Sequence, residues 1–184
     1  MDVLLEMEPG NAEAMFLKGE LAELAGDYDE ARAQYEAVAD HHPGHPGIFY
    51  RLGIVLANHF PEETERAAEA FHRAFERNPD NEDAYYQYAM LLNESLGRNE
   101  EAAEYFQKVL EKQADHPFAN YDLALLYHRR GEVDQARAYY LEAIRINPEL
   151  QTEENDLAFA VDQVEAAKEP AETEVRTSET IEIP

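Results

Sequence analysis

The chain contains no cysteine and no tryptophan, and only 15 basic residues stand against 40 acidic ones. Without cysteine there is no disulfide framework, no thiolate zinc site and no cysteine nucleophile. The shortage of Lys and Arg leaves a formal charge of −25 at pH 7. A charge of that sign repels DNA and RNA phosphates and anionic membrane surfaces, so basic or at least non-acidic partners are favoured. No apolar run approaches the ~18 residues of a membrane span. Residues 1–8, MDVLLEME, lack the basic start and long apolar stretch of a secretory leader. The expectation is a cytoplasmic protein that binds neither nucleic acid nor membrane directly.

Catalytic signatures are also missing. Ser95 and Ser178 have no base at a readable spacing, and no glycine-rich phosphate loop is present. The pairs Glu62-Glu63, Glu100-Glu101 and Glu153-Glu154 fall at expected helix starts, where carboxylates complement the helix dipole and stay solvated. His41, His42 and His45 cluster in HHPGHP, which reads as a helix end and a proline turn rather than a metal site. His59, His72 and His116 are assigned to turns or exposed faces. No enzyme activity, metal or cofactor is expected.

What the chain does have is a period. A small residue among apolar ones recurs at Gly19, Gly53, Ala89, Ala124 and Ala158, spaced 34, 36, 35 and 34 apart. A second small residue recurs at Ala31, Ala67, Ala102 and Ala136, each followed four residues later by an aromatic: Tyr35, Phe71, Phe106 and Tyr140. Proline closes units at Pro9, Pro43, Pro79 and Pro148, with Ala114 in the third unit's place. Each unit reads as two helices. In the fourth, Leu123, Ala124 and Tyr127 form one helical stripe, Gly131 supplies a left-handed exit, Asp134 stands near the next helix start, and Ala136, Tyr140 and Ala143 form the second stripe.

The insertions have a meaning. From the second small residue of one unit to the first of the next the distance is always 22, whereas within units it is 12, 14, 13 and 12. Extra residues therefore sit inside units, at Asn58-His59-Phe60-Pro61 and Leu96-Gly97-Arg98-Asn99, and the contact between units keeps one register.

These residues resemble the tetratricopeptide repeat (TPR) family, whose pattern sets an aromatic, Leu-Gly and Tyr on the first helix (helix A) and Ala, an aromatic and Pro on the second (helix B). The sequence departs from it at Lys18 and Ala22, and no unit keeps the tryptophan. The resemblance implies an all-α, right-handed helical-hairpin solenoid. Its parts would be the end of a partial helix B at 1–11, repeats at 12–45, 46–81, 82–116 and 117–150, a capping helix at 151–168 and a disordered acidic tail at 169–184. In that family helix A lines a concave groove. Slot by slot, the fifth residues are Phe16, Tyr50, Tyr86 and Tyr121, and the ninth are Glu20, Ile54, Met90, Leu125 and Phe159. His128 and Arg129 lie further along. Lysine, asparagine and arginine, which in related modules clamp acidic chaperone tails, are absent from these slots, so an acidic ligand terminus would be repelled. The resemblance implies a non-catalytic scaffold that binds a protein or peptide segment with apolar and basic anchors. A dedicated chaperone or assembly factor for one secreted or oligomeric subunit is a second reading, and self-association through the first helix a third.

Overall fold

The computed structural model describes residues 10–152 together with Asn155, Asp156 and Phe159. Among them are eight α-helices and no strand: α1 (Ala12–Ala25), α2 (Tyr28–His41), α3 (Ile48–His59), α4 (Thr64–Arg77), α5 (Glu82–Glu94), α6 (Asn99–Lys112), α7 (Pro117–Arg129) and α8 (Val133–Ile146). Short 3-10 turns cover Pro61–Glu63 and Pro148–Leu150. No described helix is long and apolar enough to cross a membrane. Most of the partial helix B expected at 1–11, most of the capping helix expected at 151–168 and the tail expected at 169–184 lie outside the described residues.

Side chains fix most of the first-helix starts. Asn11, Asn81 and His116 each accept a hydrogen bond from the backbone N–H three residues on, satisfying a donor that the helix leaves free. His116, for which the sequence indicates only a turn or an exposed face, has a structural role: it is half-buried and caps α7 through Nδ1, 3.0 Å from Ala119 N, just before Pro117. Buried Asn120 reinforces this start, donating through Nδ2 to the carbonyl of His116 at 3.0 Å. On α8 the cap position is Glu132, without a side-chain bond, and Asp134 stands in the first turn. Gly26 and Gly131 turn the chain between paired helices at φ 76° and 75°, a conformation that costs an L side chain energy.

The helices pack as consecutive hairpins, α1 on α2, α3 on α4, α5 on α6 and α7 on α8, and the second helix of each packs on the first helix of the next. Each unit thus depends mainly on its neighbours, the arrangement of a solenoid. The periodic small residues mark the closest crossings. Gly19, Gly53, Ala89 and Ala124 are buried, as are the aromatics Tyr35, Phe71, Phe106 and Tyr140. The insertion in the second unit differs from its reading as a plain turn: α3 continues to His59, Phe60 is buried, and Pro61–Glu63 forms the 3-10 turn.

That turn also takes most of the Glu63 side chain out of solvent, leaving it 16% exposed. Its carboxylate accepts from Arg32 of α2 at 2.5 Å and from Arg66 of α4, and Arg66 reaches Glu36 of α2 at 2.6 Å. Arg32 lies over the Phe60 ring at 4.2 Å. The expectation that helix-start carboxylates stay solvated fails for Glu63, because two guanidiniums from neighbouring helices converge on it.

Candidate peptide-binding groove

The fifth-slot aromatics of the first helices all lean on the buried helix-B aromatic of their own repeat. Ring centroids are 5.5 Å apart for Phe16–Tyr35, 6.3 Å for Tyr50–Phe71, 5.7 Å for Tyr86–Phe106 and 6.3 Å for Tyr121–Tyr140. Each fifth-slot ring is half-buried. One face belongs to the scaffold and the rest faces outward, so the series is both core and surface. Burial pushes the phenols of Tyr50 and Tyr86 above their ordinary range, with Asp83 and Asp122 adding to it. Both stay protonated hydrogen-bond donors at neutral pH.

The ninth-slot residues Glu20, Ile54, Met90 and Leu125 are half-buried as well. Ile54, Met90 and Leu125 pack against the core while keeping part of their surface open. His128 and Arg129 are exposed at the end of α7, and Arg129 donates to Asn93 of α5 at 2.7 Å. Phe159 is placed otherwise. It is wholly buried, stacked on Tyr140 at 4.4 Å, with Arg137 donating to its carbonyl. It therefore packs on the face of α8 that carries Tyr140 and offers no surface to a ligand.

A further slot lies two residues before each small residue, and of its residues Asp122 was not expected at the groove from the sequence. The slot holds Leu17, Arg51, Gln87 and Asp122. Two of these residues reach back to the preceding first helix. Arg51 Nη2 donates to Glu20 at 2.9 Å, with Glu23 3.8 Å from its other Nη. Asp122 accepts from the Tyr86 hydroxyl at 2.9 Å. The only advance signal was the period itself, which places both in one column. Arg51 also changes the electrostatics expected at the N-terminal end, where Glu20 and Glu23 flank a cation. A depression of about 420 Å³ opens there, lined by Leu24, Tyr28 and Ile54 together with Glu20, Glu23 and Arg51.

Asp122 is the most perturbed carboxyl in this region. Burial raises it from 3.8 to about 6 and Glu94 pushes the same way, while the Tyr86 hydroxyl and Arg129 pull against the shift. The histidines of HHPGHP do not converge. His41 Nδ1 lies 2.9 Å from the Ala37 carbonyl, His42 Nε2 2.9 Å from that of Gly10, and His45 Nε2 3.2 Å from Glu13.

Residues 2–46, 25–59, 62–117 and 94–150 match the family model of the tetratricopeptide repeat. The chain belongs to the TPR family. No curated protein sequence matches it. Among solved structures, this TPR protein is similar to the crystal structure of MamA, with TM-score 0.72 and 23% identity over 80% of this chain and 85% of that one. It is similar to YrrB, described as "a TPR protein with an unusual peptide-binding site", with TM-score 0.68 and 28% identity over 86% of this chain and 78% of YrrB. A third, MamA residues 41 to the end from Desulfovibrio magneticus RS-1, gives TM-score 0.69 and 19% identity over 89% and 99%. The two MamA likenesses concern the TPR fold. TPR proteins are generally non-catalytic interaction modules, and this one presents an open helical face of that kind.

Proposed function

We propose that this TPR protein is a scaffold whose concave face binds a protein segment with apolar anchors and basic character, bringing that protein to others. One observation carries the reading: Ile54, Met90 and Leu125 recur at one slot of three consecutive first helices, each partly open beside a half-buried tyrosine. Aliphatic and aromatic side chains spaced in this way suit a segment whose own anchors repeat at short intervals. The description of YrrB, which names a peptide-binding site, supports a groove of this use in a protein 28% identical. The net charge of −25 supports a basic rather than acidic ligand. The test is an affinity pull-down with the bound segment mapped, repeated with Ile54→Arg and Met90→Arg together. Capture that depends on both residues supports the groove; capture that survives the double change places the site elsewhere.

Self-association through the first helix is a second reading, favoured by α1. Leu21 is 49% exposed and Leu24 85%, whereas Val55, Leu91 and Leu126 at the Leu21 slot are buried. Light scattering at several concentrations tests it: a dimer lost on Leu21→Glu supports it, and a monomer throughout removes it.

A further inference from the structure

One column of the groove holds a complete charge pair at one junction and half of a pair at another. At the first junction the slot residue is Arg51, and its counter-ion is ninth-slot Glu20 of the preceding repeat, 2.9 Å away. At the third junction the slot residue is Asp122, and the preceding repeat's ninth slot holds uncharged Met90. Among the described residues no Lys, Arg or His forms an ion pair with Asp122. Among the described residues its one hydrogen bond is accepted by Oδ2 from Tyr86, and none of them donates to Oδ1. Oδ1 is not sealed away, since among the described residues the one sealed side-chain polar atom without a partner is His45 Nδ1. Arg129, the cation whose charge acts on Asp122, is itself bonded to Asn93.

A carboxylate largely removed from water costs free energy unless it is paired. The ring of Tyr86 beside it is half-buried, its centroid 5.7 Å from that of Phe106 and 4.8 Å from that of His116, so what Tyr86 brings to the site is its hydroxyl on Oδ2. Glu94 adds a second negative charge to the same neighbourhood. We propose that Asp122, flanked by Tyr86 and Glu94, receives a basic side chain of the bound segment and makes the groove prefer arginine or lysine next to the apolar anchors. This rests on the groove reading above and assigns its specificity to one residue. The missing half of the pair comes from the ligand, as a charge-assisted hydrogen bond to Oδ1.

The test uses a set of synthetic peptides of about fifteen residues with leucine at every fourth position in an alanine and glutamine background. One arginine is scanned along them, and each peptide has a twin in which citrulline, a neutral isostere, replaces the arginine. Fluorescence anisotropy with the full chain reads the affinity of each twin. The best arginine peptide is expected to bind about tenfold more tightly than its citrulline twin. In Asp122→Asn, which keeps an acceptor for Tyr86, the ratio is expected to fall to about one, because the arginine peptide loses its charge partner. In the wild type the ratio also shrinks as the pH is taken below 6, with Glu94, Arg129 and Tyr86 as the other groups facing the site. Equal binding of the twins by the wild type, or an unchanged ratio in Asp122→Asn, overturns the assignment and leaves the groove reading standing. Binding of no peptide at all overturns both. Loss of both twins together on Ile54→Arg and Met90→Arg supports the groove separately from Asp122.

Discussion

A Cβ placed on Gly53 would stand 2.7 Å from two ring carbons of Phe71, so α3 and α4 cross with no room for a methyl group. The third and fourth repeats use Ala89 and Ala124 at the same slot, opposite Phe106 and Tyr140. The period is therefore shared while the closeness of the crossing differs between repeats. Gly53→Ala is expected to gain about 1 kcal/mol of helix propensity and lose about 1–3 kcal/mol by displacing a fully buried ring. The net is a destabilisation of about 1 kcal/mol. Urea denaturation of Gly53→Ala beside Ala89→Gly checks this.

Glu63 should be a stability residue at the first repeat junction. Glu63→Ala leaves Arg32 and Arg66 without their shared acceptor, although each keeps a second acid, Asp29 and Glu36. A loss of about 1–3 kcal/mol is expected, smaller in high salt because both guanidiniums are partly exposed. Chemical denaturation at two salt concentrations reads both parts.

Asp122 gives a pH dependence with a definite sign. Its carboxyl is raised from 3.8 to about 6 by burial, so folding favours the protonated form. The stability it contributes is full below about pH 4 and is lost as the pH rises through 6. Asp122→Asn removes that loss and should stabilise the chain at pH 7 by about 1–3 kcal/mol. The difference between the two proteins should close as the pH falls from 7 to 4, which thermal unfolding across that range measures.

The repeats were legible because their rule is local. Gly or Ala opposite an aromatic, recurring every 34 to 36 residues, is all that two crossing helices need, and Gly19 through Tyr140 spell it out four times. Ile54, Met90 and Leu125 could be located for the same reason, since the period carries slot to slot. Contacts between repeats were harder to see. Arg51 with Glu20, and Tyr86 with Asp122, pair side chains 31 and 36 residues apart, and no single repeat contains either pair. Phe159 shows the other limit: the slot rule put it in the groove, but Tyr140 offers it a stacking face and it is buried there. His116 likewise caps α7 with a ring nitrogen, a role more often taken by serine, aspartate or asparagine.

The groove itself is tested most directly by isothermal titration of the segment mapped in the pull-down, with the wild type and with Ile54→Arg and Met90→Arg combined. Both side chains are partly open, so the double variant should keep its helical circular dichroism and unfold cooperatively. A loss of affinity of at least about a hundredfold is expected, because two charges would replace two apolar contacts. An affinity unchanged within a factor of about two in a folded double variant would contradict it.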